Sequence, residues 1–325
     1  MKSPQISIKT SSILSLEMPY SENLQIRKTT YQGGDGPRAA IVSGVHGDEL
    51  EGLYVCHLLA EWLEQLAISN PAGLLGSVEL YPAMNTLGLD TLTRFIPVFD
   101  TDLNRSFPGG PGGDLPKRIA HAAIESLKGA ALVIDIHASN IYLREIPQVR
   151  INCDFAHNLV PLAQRMNVDL IWLHGAMTVL EATIAHSLNS IGVPCLVVEM
   201  GVGMRISPDY CQQLMAGILR LWKDLGVLAA DVEIPETDHV AEIADDSNVH
   251  YLNAPTSGMF VPIIDHWTDV HKGQLLGSIV SAMNGSKLAE VRSPVDGVLF
   301  TLREYPLVYE GSLMARVMAR KEVRR

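Results

Sequence analysis

Two side chains able to hold a metal stand three residues apart in Gly44-Val45-His46-Gly47-Asp48-Glu49-Leu50-Glu51-Gly52. On a turn or a first helical turn, His46 and Glu49 can converge on one ion. The same stretch also suits a glycine-rich turn that opens a helix, with Asp48 or Glu49 at the helix N-terminus. A metal site needs a third ligand. His137 offers one at the end of the apolar run Ala131–Ile136, 137 − 49 = 88 residues after Glu49. His46, Glu49 and His137 would form the His2Glu set of a catalytic zinc site, which leaves a position for water. Asp135, two residues before His137, is expected to point to the opposite side of the strand and to be structural rather than a ligand.

An activated water needs a base. Glu199 lies between the apolar pair Val197-Val198 and Met200-Gly201-Val202-Gly203. Burial at such a strand end raises a carboxylate's pKa, and a nearby cation lowers it. A capping or salt-bridged glutamate is the competing role. Arg94 and the run Asp102-Leu103-Asn104-Arg105-Ser106-Phe107-Pro108-Gly109 occupy a loop rich in Pro, Gly, Asp and Arg. Two guanidinium groups and an amide suit a substrate carboxylate, and a cation near a metal can stabilise an oxyanion.

The elements that must position these residues alternate. Weakly alternating residues 1–30 predict edge strands or an irregular lead-in, and Gly33-Gly34-Asp35-Gly36-Pro37 a turn. Arg38–Val45 predicts a buried strand, Glu49 to about Leu66 a helix with one apolar face, and Ser77–Ala83 a second strand. The stretch from Asn85 to Gly113 predicts a long functional loop. Further on, helices are expected at Pro116–Leu127, Ala156–Met166, Thr178–Ser190 and Pro208–Leu225. Strands are expected at 131–136, 149–153 and 194–198. His46, His137 and Glu199 then all fall at or just past strand ends, the edge where ligands bind in open α/β sheets.

After Ala229 an acidic linker, Asp231–Asp238, precedes short apolar runs broken by glycine from Tyr251 to Met318. This predicts a small all-β module. The division is residues 1–235 for the α/β part and 236–325 for the β part. The excess of Asp and Glu over Lys and Arg gives a net charge of −11. That argues against nucleic-acid or anionic-membrane surfaces. Cys56, Cys153, Cys195 and Cys211 form no CxxC pair, which favours buried thiols in a reducing compartment. The N-terminus has no apolar signal core, and no stretch reaches the roughly 18 apolar residues of a membrane span. A soluble cytoplasmic protein is expected.

Four motifs in order, Gly-x-His-Gly-Asp-Glu-x-x-Gly, Asp-Leu-Asn-Arg-x-Phe-Pro-Gly, Asp-x-His and Val-Glu-Met-Gly, resemble the succinylglutamate desuccinylase/aspartoacylase family over roughly residues 35–225. The resemblance implies a zinc-carboxypeptidase-like mixed sheet flanked by helices. It implies that His46, Glu49 and His137 bind one zinc per chain and that Glu199 is the general base. Asn104 and Arg105 would hold the substrate carboxylate and Arg94 would stabilise the oxyanion, with Arg144 or Arg150 as competitors for that role. Arg150, in Ile146-Pro147-Gln148-Val149-Arg150, lines the same edge and is grouped with the substrate-binding residues. The implied reaction is hydrolysis of a small N-acyl amino acid by metal-activated water. The alternatives are a metallocarboxypeptidase acting on peptides and a non-catalytic carrier built on the C-terminal module.

That module resembles a barrel-sandwich, or biotinyl/lipoyl-like, domain. Its hairpin reads Ala282-Met283-Asn284-Gly285-Ser286-Lys287-Leu288 and lacks the Met-Lys-Met pattern of carriers. Modification of Lys287 is therefore disfavoured. A role in shaping the active site or in forming a homo-oligomer is expected instead.

Overall fold

The strand that feeds the His46 motif lies in the middle of a large mixed sheet. The computed structural model describes residues 5–20, 22–175 and 181–320. Strands β1 (Ser7–Leu16) and β2 (Leu24–Gln32) form an antiparallel hairpin at one edge. Strand β3 (Arg38–Ser43) leads through the motif into helix α1 (Glu51–Ser69) and on to β4 (Ser77–Tyr81). The expected helix start at Glu49 is two residues early. Glu49 stays in the turn, where its side chain is free to face the strand ends.

The loop that follows carries a short helix α2 (Thr86–Thr91) and a single 3-10 turn at Leu103–Arg105. Helix α3 (Leu115–Leu127) is capped by Asp114, and β5 (Leu132–Ala138) is buried along its whole length. That burial is why β5 reads as a continuous apolar run rather than an alternating one. Strand β6 (Leu143–Asn152) is ten residues long and much longer than the 149–153 expected. Its Pro147 lies at an irregularity between Glu145 and Gln148, which disguises the strand.

Helix α4 (Ala156–Ala163) is followed by β7 (Leu170–His174), which the sequence pattern did not reveal. Helix α5 (Ile184–Ser190) starts at the Thr183 cap; the expected start at Thr178 lies outside the described residues. Strand β8 (Cys195–Gly201) and helix α6 (Pro208–Asp224) complete the α/β part.

Among the described residues the central order is β2-β4-β3-β5-β8-β6. The pairs β3–β4, β3–β5 and β5–β8 are parallel, and β6 runs antiparallel to β8. Helices α1, α4 and α6 bury one face of the sheet, with Leu59, Leu63, Leu214 and Trp222 against Ile41, Ile134 and Leu196. Helices α3 and α5 bury the other, with Ile119, Ala123 and Ile184 against Val42, Val133 and Cys195. This two-sided covering is what a mostly parallel sheet requires. None of the described helices is long and apolar enough to cross a membrane.

The C-terminal strands are β9 (Glu242–Asp245), β10 (Val249–Asn253), β11 (Gly258–Pro262), β12 (Thr268–Val270), β13 (Leu275–Val280), β14 (Lys287–Arg292), β15 (Gly297–Arg303), β16 (Leu307–Val308) and β17 (Leu313–Ala319). Strands β14, β13, β11 and β16 form a separate four-stranded sheet. The others extend the large sheet: β15 pairs with β6, β17 with β15, β10 with β17, and β9 with β7. The C-terminal strands are thus hydrogen-bonded directly to the strand that borders β8.

Candidate metal centre and its pocket

Gly44 ends the approach to β3's exit with φ of +61°, a left-handed conformation that glycine adopts without steric penalty. At Gly47 an added Cβ would lie 2.0 Å from the Gly88 carbonyl carbon. The motif's second glycine therefore lets the 88–94 loop press against the turn, where the Gly47 amide donates to the Arg94 carbonyl at 3.3 Å. One turn thus places His46, Glu49 and Arg94 together.

The three sequence-predicted ligands converge. Their donor atoms lie within 4.8 Å of one another and all three residues are buried. Glu49 Oε1 is 2.7 Å from His46 Nδ1, and Glu49 Oε2 is 2.9 Å from His137 Nδ1. The two Nδ1 atoms stand 3.2 Å apart. Tetrahedral zinc with bonds near 2.0–2.1 Å separates its donors by about 3.3 Å, so the nitrogens are already spaced as such an ion would space them. The outward nitrogens are tied to carboxylates: His46 Nε2 to Asp102 Oδ1 at 3.0 Å and His137 Nε2 to Asp135 Oδ2 at 2.9 Å. A proton on each Nε2 donated to its carboxylate leaves each Nδ1 with a free lone pair. That is the tautomer a metal ligand needs. The donor set fits zinc.

Asp135 does not point away from His137 as expected. Residues two apart on a strand share a face, and the two side chains are hydrogen-bonded. The i, i+2 spacing could have shown this from the sequence. Asp102, which the sequence offers only as part of a motif, caps the 3-10 turn through the Asn104 amide as well as holding His46.

The charges set the local pKa values. Burial would raise the Glu49 pKa, but the two histidines outweigh it and hold the carboxylate well below its usual range. Burial disfavours charge on His137, yet Asp135 and Glu49 together raise its pKa well above the ordinary value. At Glu199 burial pushes the pKa up, while Arg150 pulls the other way.

Strand register places Glu199 directly beside His137, across the β5–β8 pair. On the far side of β8, Arg150 lies opposite Val197, which in turn lies opposite Asp135. Asp135, His137, Val197, Glu199 and Arg150 thus form one floor. Arg150 Nη1 approaches Glu199 Oε1 at 3.4 Å and Nη2 approaches Glu145 Oε1 at 3.2 Å.

Arg94 reaches the cluster from the opposite wall, with Nη1 2.9 Å from Glu49 Oε1 and Nη2 3.5 Å from Asp102 Oδ2. Its Nη2 also lies 2.9 Å from His46 Nε2, a contact that cannot be a hydrogen bond while that nitrogen donates to Asp102. Asn104 is buried. Its Oδ1 accepts from the Ile184 amide at the start of α5, at 3.0 Å. Arg105 Nη1 donates to the Asn104 carbonyl at 2.7 Å. Arg144 is directed instead to Asp265, at 3.6 Å.

All eight sequence-predicted site residues line one cavity of about 520 Å³. Its size suits a small metabolite. Two other residues of this cavity escaped sequence reasoning: Glu145, buried in β6, and Arg316, which donates to it at 2.6 Å from 171 residues away. No local signal links such distant positions.

A family model described as the succinylglutamate desuccinylase/aspartoacylase catalytic domain matches residues 35–225. The N-alpha-acetyl-L-2,4-diaminobutyric acid deacetylase of Halomonas elongata is 25% identical over 318 residues, covering 92% of this chain and 89% of that protein. A product-bound structure of an ectoine utilization protein from Ruegeria pomeroyi matches with a TM-score of 0.80 at 22% identity, covering 98% of this chain and 100% of that one. A succinylglutamate desuccinylase/aspartoacylase structure from Rhodobacter sphaeroides also gives 0.80 at 22% identity, over 98% and 97% of the two chains.

Proposed function

Since this chain belongs to the succinylglutamate desuccinylase/aspartoacylase family, we propose that it is a zinc-dependent deacylase that hydrolyses the amide bond of an N-acyl amino acid or similar small N-acylated metabolite. The observation that carries this is the convergence of His46, Glu49 and His137, with both histidines oriented from behind by carboxylates. One zinc per chain would be held by these three residues. Bound there, it would supply Lewis acidity that polarises the substrate carbonyl and makes water more acidic.

The remaining work falls to the chain. Glu199 accepts a proton from the attacking water as the C–O bond forms. It then gives that proton to the departing nitrogen as the C–N bond breaks, so the products are a carboxylic acid and an amine. Arg94, 32% exposed at its side chain and facing the cluster, offers N–H groups to the developing oxyanion. Asn104 and Arg105 hold the substrate carboxylate, for which a guanidinium fork is a good geometric match, while Arg150, expected among them, has its terminal nitrogens engaged by Glu199 and Glu145.

Residues 1–235 form the hydrolase part and 236–325 a barrel-sandwich-like β part, in a cytoplasmic protein. The test is a panel of N-acetyl and N-succinyl derivatives of aspartate, glutamate and diaminobutyrate with zinc-loaded protein. The Halomonas relative puts N-acetyl-diaminobutyrate first. Release of free amine from at least one substrate is expected; no release from any of them sinks the proposal.

A further inference from the structure

We propose that Arg316, on the C-terminal strand β17, is a positioning residue for the catalytic pocket: it anchors Glu145, and Glu145 in turn holds Arg150 beside Glu199. This rests on the deacylase proposal only in that Glu199 is taken as the base.

The sheet register builds the connection. Gly201, Glu145, Thr301, Arg316 and Tyr251 are successive cross-strand partners on β8, β6, β15, β17 and β10. The irregularity between Glu145 and Gln148 inserts one extra residue, which turns both side chains, and Arg150 with them, onto the same face. Glu145 is 1% exposed. A carboxylate so buried must be neutralised and hydrogen-bonded. Its Oε1 accepts from Arg316 Nη1 at 2.6 Å and from Arg150 Nη2 at 3.2 Å. Its Oε2 accepts from Thr301 and Gln148, each at 2.7 Å.

Arg316 is the shorter of the two arginine contacts and leaves Arg150 shared between two carboxylates. Arg150 Nε is buried without a hydrogen-bond partner, so the fork is held at its two terminal nitrogens, by Glu145 and Glu199. The Trp172 ring stacks with both guanidiniums, at 5.3 Å from Arg150 and 5.2 Å from Arg316. Two cations can share that ring because Glu145 contacts both of them. With Arg316 absent, the most economical way to neutralise Glu145 is for Arg150 to turn its whole fork onto it, away from Glu199. The C-terminal module would in this way set the geometry of the base while leaving substrate-carboxylate contacts to Asn104 and Arg105.

The experiment compares full-length, zinc-loaded wild type with Arg316→Ala and Arg316→Lys, using steady-state kinetics on the best substrate of the panel and a crystal structure of the alanine variant. A misplaced base costs turnover more than binding. We expect kcat to fall on the order of ten- to hundredfold with KM changed less than about threefold, and lysine to recover most of the loss. In the crystal, Arg150 should pair with Glu145 alone. Unchanged kcat, a raised KM at unchanged kcat, or Arg150 still seated against Glu199 would each overturn the proposal. Should the alanine variant not fold, Glu145→Gln gives the complementary readout: Arg150, released from its second carboxylate, should turn both terminal nitrogens to Glu199, and an unmoved Arg150 overturns the relay. If wild type cleaves nothing in the panel, the deacylase proposal falls, and the Arg150 placement still decides this one.

Discussion

Asp135 stands behind His137: its Oδ2 lies 2.9 Å from the ring Nε2, which turns Nδ1 toward Glu49 and His46. A residue with no direct part in binding an ion thereby selects the nitrogen that can. Asp102 does the same for His46 from a separate loop. Replacing Asp135 by Asn keeps the shape and removes the charge. Zinc affinity, measured by competition with a chelator, is expected to fall roughly 10–100-fold. Unchanged affinity would show that the ring is held by packing alone.

Glu199→Gln separates the base from the metal. The amide cannot take a proton from water, so turnover is expected to fall at least about 10²-fold while zinc remains near one per chain by elemental analysis. Loss of zinc in this variant would instead make Glu199 part of the ligand set.

Zinc binding is expected to weaken as pH falls. At His46, burial opposes charge, but Glu49 and Asp102 raise its pKa above 6.5, and His137 is raised further. A raised histidine pKa stabilises the metal-free fold fully below the unfolded value, and that contribution is lost as pH rises through the folded value. Zinc requires the neutral rings, so its binding expels protons and gains strength in the direction in which the metal-free form loses stability. The gap in Tm between zinc-loaded and metal-free protein should therefore widen from pH 6 to pH 8. A gap constant over that interval would count against histidine ligation.

Asn104→Ala should cost stability as well as activity. Its Oδ1 is the acceptor for the buried Ile184 amide. Leaving that donor unpaired costs about 1–3 kcal/mol, read as a lower midpoint in urea. A variant of full stability would mean that α5 shifts to find another acceptor.

The cysteines give a simple check on packing. Cys153 is exposed, while Cys56, Cys195 and Cys211 are buried, and burial pushes the Cys56 thiol up to about 12. One thiol per chain should react rapidly with a thiol reagent in native buffer and four in denaturant. Two or more fast thiols would contradict the packing of α1, β8 or α6.

The sequence by itself determined the parts that depend on local pattern. His46 and Glu49 were legible because they share one turn, and His137 and Glu199 because each ends a buried run whose apolar character is visible without knowing its neighbours. Helices α1, α3 and α6 and strands β3, β4, β5 and β8 followed from the same periodicities, to within a few residues at their ends, whereas the pairing of β1 with β2 into a hairpin did not. Strands β6 and β7 were obscured or missed: Pro147 and the adjoining irregularity break the alternation of β6, and β7 is a five-residue run without strong punctuation. Asp135 was misjudged although its period-two spacing from His137 was in plain view. Only the tertiary structure decided what lies across the sheet. Glu145 and Arg316, 171 residues apart, meet through the register of β6 and β17 on either side of β15, and no local preference of either residue encodes that meeting. The turn motif thus sets two of the three candidate ligands, while the surroundings of Glu199 depend on β6 and on the strands that extend the sheet from the far end of the chain.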